Sequence, residues 1–134
     1  MVLDFAFVCD YAEAGNKLSA LGIGFDTVFA PQVPCVHPVF HLVAQFAASA
    51  AEAGHKELRI SLVDADGNDL VLPLSVTLEV AQPPPGVLES KAKLVVGFGG
   101  VEFPAYGQYA VQVTVQGNEM VRIPIRVAQP PATG

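Results

Sequence analysis

Through "YAVQVTVQ", residues 109–116, apolar side chains fall on every second position. Tyr109, Val111, Val113 and Val115 share one face, and Gln108, Gln112, Thr114 and Gln116 share the other. Successive side chains of an extended strand point to opposite sides, so this period of two specifies a strand with one dry face and one wet face. After the turn "GNE", the run "MVRIPIRV" repeats the pattern, with Val121, Ile123, Ile125 and Val127 opposite Arg122 and Arg126. The two runs predict a hairpin. Pro124 cannot donate to a ladder, which places its strand at an edge or the proline where no hydrogen bond is needed.

The same alternation recurs upstream. Leu3, Phe5, Phe7 and Cys9 give an opening strand, and "KLSALGIGFDTVFA" gives two short strands or one broken around Gly22 and Gly24. Phe40, Leu42, Ala44 and Phe46 alternate with His41, Val43 and Gln45, and Leu58, Ile60 and Leu62 with Glu57, Arg59 and Ser61. Leu70, Leu72, Leu74, Val76, Leu78 and Val80 alternate through an irregularity at Pro73. Leu94, Val96 and Phe98 lead into a bulge expected at Gly99-Gly100, then Val101 and Phe103. Only "AASAAEAGHKE", residues 47–57, has helix-forming composition, and it is too short to be stable alone. It reads as a strand end and loop with one helical turn. "QPPPG", residues 82–86, is an extended linker. No internal repeat is visible. Eight or nine strands with short turns predict an all-β chain, an antiparallel sandwich whose two half-dry sheets cover each other. The domain is expected to span 1–128, with a flexible tail over 129–134. Its inner face is expected to include Phe5, Phe7, Leu42, Ile60, Leu72, Val96, Val113 and Ile125.

A chain of 134 residues is long enough to bury one core without metals or disulfides. Hydrophobic residues make up 51% and charged residues 15%, against a usual charged share of about 25%. Such a chain buries an unusual share of itself or leaves apolar surface for a partner. The net charge of −6 argues against nucleic acid and against an anionic membrane, both of which call for basic patches. The seven Lys and Arg read as scattered. "MVLDFAFVCDYAEAG" has no basic n-region and no stretch reaches the roughly 20 apolar residues of a membrane span. The expectation is a cytoplasmic protein in which Cys9 and Cys35 are reduced.

Acidic residues crowd only in "LVDADGND", where Asp64, Asp66 and Asp69 surround Gly67. An EF-hand loop with Gly67 at its sixth position would start at Leu62 and end at Pro73, neither of which supplies the required side-chain ligand. A C2-type calcium site would need a second acidic loop, and only Asp10 and Asp26 offer themselves. A hairpin turn accounts for the stretch more simply, since Asp and Asn cap turns and Gly supplies positive φ. "PCVHPVFH" sets Cys35, His37 and His41 close in sequence and raises zinc as a candidate. In an extended strand, however, residues four apart lie roughly 13 Å from each other, and a fourth ligand such as His55 would have to come from elsewhere. "VGFGG" lacks the lysine and helix of a phosphate loop. No arrangement of nucleophile, base and orienting acid emerges, so no catalytic residue and no cofactor is expected.

In "FPAYGQYAV", residues 103–111, a turn, Gly-x-Tyr and an alternating strand match the tyrosine corner of immunoglobulin-like sandwiches, with Tyr109 at the corner. Taken with "FVCDYAEAGNKLSALGIGFDTVFAP" and "HKELRISLVDADGN", and continued through "QVTVQGNEMVRIPIRV", the chain resembles an uncharacterised bacterial family of single-domain β-sandwich proteins, a domain of unknown function. The resemblance covers most of the chain. It implies the sandwich fold and transfers no catalytic or binding residue. The function expected is a non-enzymatic protein-binding or structural module, with a calcium- or small-ligand-binding C2-like domain using Asp64, Asp66 and Asp69 as the alternative. Apolar outer-face residues such as Val43 and Val71 point to a homo-oligomer or an unidentified protein partner.

Overall fold

The chain is all-β. In this computed structural model, which describes residues 1–131, ten strands and one 3₁₀ turn account for nearly all the regular structure. The strands are β1 (Val2–Cys9), β2 (Tyr11–Ala14), β3 (Leu18–Leu21), β4 (Thr27–Phe29), β5 (Cys35–Ser49), β6 (Gly54–Asp64), β7 (Leu74–Val80), β8 (Glu89–Phe103), β9 (Gly107–Val115) and β10 (Asn118–Ala128). The 3₁₀ turn, Ala50–Glu52, joins β5 to β6, where one helical turn was expected. Ten strands replace the expected eight or nine because the short β2, β3 and β4 are separate. Of the expected tail 129–134, residues 132–134 lie outside the described residues, and 129–131 carry no regular structure.

Three sheets form, in the orders β1-β5-β8, β4-β10-β9-β6-β7 and β2-β3. The first two enclose one core. Phe40, Leu42, Ala44, Phe46, Leu94, Val101 and Phe103 come from the three-stranded sheet, and Leu58, Ile60, Leu62, Val111, Val113 and Ile125 from the five-stranded sheet. Full burial of such a side chain is worth about 1.5–3 kcal/mol, and the alternating faces of β6, β9 and β10 supply it as read from sequence. The β9–β10 hairpin turns at Gln116-Gly117, both with positive φ, one residue earlier than "GNE" suggests. Pro124 pairs with Ala110 on one side, while β4 runs beside β10 only from Arg126 to Ala128. The proline therefore sits where its strand is an edge.

Three of the expected inner-face residues, Phe5, Phe7 and Leu72, do not face the core, and two irregularities account for them. The opening strand carries a bulge: Leu3 pairs with Phe46 but Phe5 with Gln45, leaving Asp4 as an inserted residue. Side-chain parity is thereby reversed. Leu3, Ala6 and Val8 face the main core, while Phe5, Phe7 and Cys9 face the other side. Phe5 is 39% exposed and Phe7 is half-buried outside the main core. Leu72 fails most plainly, at 92% exposed. The ladder pairs the Leu70 amide with the Leu62 carbonyl and then Leu74 with Ile60, so four residues of one strand match two of the other. Pro73 has no N–H for the ladder, and β7 starts only after it. Val96 is half-buried against the core edge.

The expected bulge at Gly99-Gly100 takes a different form. The β5–β8 register runs without insertion from Cys35↔Phe103 to Ser49↔Glu89. Yet Phe40 and Leu42 face the core below this point, while Cys35 and His37 lie on the core side above it, opposite Phe103 and Val101. Pro38, opposite Gly100 by register, marks the change; Gly100 has φ +63. Both strands exchange faces together, so no residue is left over. Val43, expected on an exposed outer face, is fully buried: the β2–β3 hairpin lies over it and over Cys9, with Ala12, Leu18 and Ala20 turned inward. Val71 is half-buried.

Candidate functional site

The acidic stretch is a turn. The Asp64 carboxylate oxygen Oδ1 accepts from the backbone amides of Asp66 at 3.0 Å and Asn68 at 2.9 Å. The Asp64 carbonyl accepts from the Gly67 amide, and Gly67 has φ +84. Asp64 is thus committed to its own backbone, as an Asx-type turn requires. Asp10 and Asp26 do not complete a set with it. Asp10 lies beside Gly22 at the base of the hairpin, and Asp26 accepts from the Thr27 hydroxyl.

Cys35, His37 and His41 share β5 but not a face. The exchange at Pro38 leaves Cys35 and His37 on the core side, His37 against Phe25 and Phe40, and turns His41 to the opposite side. There His41 Nδ1 lies 3.3 Å from the Asp10 carbonyl, its ring meets Tyr11 edge-on, and its Nε2 lies close over Gly97. His55 is the second residue of β6 and belongs to the five-stranded sheet, not to the sheet that holds β5. Among the described residues no three His, Cys, Asp or Glu side chains are grouped around one point. Cys9 is fully buried, and burial first, then the Asp10 carboxylate, pushes its thiol above the ordinary cysteine value. A thiol held protonated in this way is a poor nucleophile.

The loop between β8 and β9 is pinned by two tyrosines. Tyr109, buried, donates its hydroxyl to the Ala105 carbonyl at 2.7 Å and accepts from the Ala105 amide at 3.3 Å. The hydroxyl thus bonds backbone four residues upstream. Tyr106 donates to the Ala30 carbonyl at 2.9 Å. The fixed loop separates two clefts. One, of about 230 Å³, is lined by Asp64, Asp66, Pro104 and Gln108 among others. The other, of about 610 Å³, is lined by Tyr106, Gly107, Arg126, Val127, Ala128 and Gln129.

The surface that sequence reasoning missed lies on the β2–β3 hairpin. Tyr11 pairs with Leu21, and Leu21 is 69% and the following Ile23 60% exposed. Val39, also exposed, lies on the same outer side as His41, opposite Gly99. A shallow cavity of about 230 Å³ is lined by Tyr11, Glu13, Ser19, Ala20 and Leu21. One signal was available. In "YAEA" and "LSAL" the inward positions are Ala12, Leu18 and Ala20, so the large apolar Tyr11 and Leu21 are left on the exposed side.

The family model described as "Family of unknown function (DUF6941)" matches residues 4–128. No curated protein matches the chain.

Proposed function

Since the chain belongs to this family of unknown function, we propose that it is a non-enzymatic protein-binding module, a cytoplasmic bacterial domain with an immunoglobulin-like sandwich, that pairs with a second copy of itself. The observation that carries the reading is the exposed apolar pair Tyr11 and Leu21 on the hairpin, with exposed Ile23 just after it. Apolar side chains grouped in this way are a marker of protein contact. A symmetric pair is the commonest way a soluble chain covers such a patch. The immunoglobulin-like part of the reading is supported by the Tyr109–Ala105 bond and by two sheets sharing one core.

Light scattering over micromolar concentrations tests the pairing. The expected result is a mass approaching twice 14.0 kDa as concentration rises, with Leu21→Ser and Ile23→Ser together shifting the mass back to the single chain. A wild-type mass of 14.0 kDa at every concentration overturns the pairing.

A further inference from the structure

The three arginines of the chain are not scattered in space. Arg59, Arg122 and Arg126 all stand on the outer face of the five-stranded sheet, opposite the core-facing Ile60, Val121 and Ile125. Arg122 is paired across β9 with Gln112, and Arg126 with Gln108. Arg126 also lines the cleft of about 610 Å³, with Gly107, Tyr106 and Gln129 around it. Two of the four lysines are committed elsewhere. Lys91 is bonded to Asp4 and Glu89, and Lys93 to the Asn16 carbonyl, on the other sheet. Among the described residues Arg126 has no carboxylate within ion-pair distance, in a chain with thirteen acids and seven bases. Arg122 has one contact, with Glu119 at 3.6 Å, and both side chains are about half exposed.

We infer that the arginine side of the β9–β10 hairpin, with the cleft at its open end, is a docking site for a carboxylate-rich peptide segment of a partner protein. A planar guanidinium offers a fork of donors that matches a carboxylate, and neighbouring glutamine amides extend the donor row. Arg122 and Arg126 are four residues apart on one strand, roughly 13 Å, the span of about four extended peptide residues. The cleft is preformed, because Tyr106 and Tyr109 are each tied to backbone. Such fixing lowers the ordering cost of binding. The acids set the direction. Asp64 and Asp66 line the neighbouring cleft across Gly107, so an acidic segment is repelled there and runs down β10 instead. A nucleic acid fits less well: it carries a charge on every unit and meets Glu119 on passing Arg122, whereas a peptide can set its carboxylates at the two arginines and an uncharged residue beyond them. The site lies apart from the hairpin patch and does not depend on self-association.

The test is amide chemical-shift mapping of the ¹⁵N-labelled protein titrated with hexaglutamate at low salt, with inorganic tripolyphosphate and hexalysine as comparison probes. Saturable shifts are expected at Gly107, Gln108, Arg126 and Gln129. They should weaken by about fivefold or more in Arg126→Gln and vanish in the Arg122→Gln/Arg126→Gln pair, with Arg126→Lys between wild type and glutamine. Unchanged spectra for β6 and β7 show that the variants are folded. Shifts that map elsewhere, that survive the double substitution, or that never appear overturn the inference. Tighter binding of tripolyphosphate at these same residues overturns it in favour of a phosphate ligand.

Discussion

On its inner side the sheet β1-β5-β8 buries Phe40, Phe46 and Phe103 against a second sheet of five strands. On its outer side it buries Cys9 and Val43 beneath a two-stranded hairpin whose inward residues are Ala12, Leu18 and Ala20. The first layer is large, and both of its walls are held by long ladders. The second is thin. An isolated pair of strands is marginal in water, so the hairpin depends on the sheet beneath it and on its two anchors, the Asp10 amide to the Leu21 carbonyl and the Gly24 amide to the Val8 carbonyl. The difference separates global stability, set by the inner layer, from local opening, set by the outer one.

The sharpest way to break the comparison is Val113→Asp, which places an unpaired carboxylate at a fully buried site of the inner layer. The cost is several kcal/mol or more, against a total stability of about 5–15 kcal/mol. Loss of the far-ultraviolet strand spectrum and of solubility is expected; a soluble folded product would show that β9 is inside out. Next comes Tyr109→Phe. It leaves the Ala105 carbonyl and amide without their partner and should cost about 1–3 kcal/mol in urea unfolding without changing the slope.

Gly22→Ala probes the thin layer. Gly22 has φ +67, and a Cβ there collides with the Asp10 carboxylate. A penalty of about 1–2 kcal/mol is expected, expressed locally. Amides of β2 and β3 should lose hydrogen-exchange protection while those of β9 and β10 keep theirs, and Asp10→Ala in the same chain should return part of it. Equal loss in all four strands would mean that the two layers open together.

The smallest effect belongs to the surface. Hydrogen bonds from Lys91 Nζ at 2.8 Å, then from Gln45 at 3.0 Å, hold the Asp4 carboxyl below its ordinary value of 3.8. A lowered folded value means that the contribution is present above pH 3.8 and is lost as pH falls through the folded value. Asp4→Asn should therefore differ slightly from wild type near neutrality. The two stability curves should merge in acid, and the gap should shrink with salt.

Strand alternation made β9 and β10 legible almost residue by residue, because the polar positions of each stay on the side away from the core. On β6 the outer positions Ser61 and Val63 are buried as well. Alternation misled wherever a single residue resets the count. Asp4 sends Phe5 outward, and the stretch before Pro73 leaves Leu72 in solvent. Val43 looked like exposed surface because a parity argument sees one sheet at a time, and the covering hairpin comes from thirty residues upstream. The acidic turn was readable from Asp64 and Gly67 alone. The arginine face was not, since sequence order separates Arg59 from Arg122 and only the β6–β9–β10 pairing sets them on one side.

The exchange of faces at Pro38 and Gly100 carries a rule about how this chain can change length. Removing either residue alone puts one strand out of phase with its neighbour, and every side chain beyond that point turns over. Removing both together leaves His37 opposite Val101 and Val39 opposite Gly99, now adjacent in a ladder that alternates without interruption. Within their paired stretch, the two longest strands can therefore lose a single residue and keep both faces when each gives up its residue at this rung.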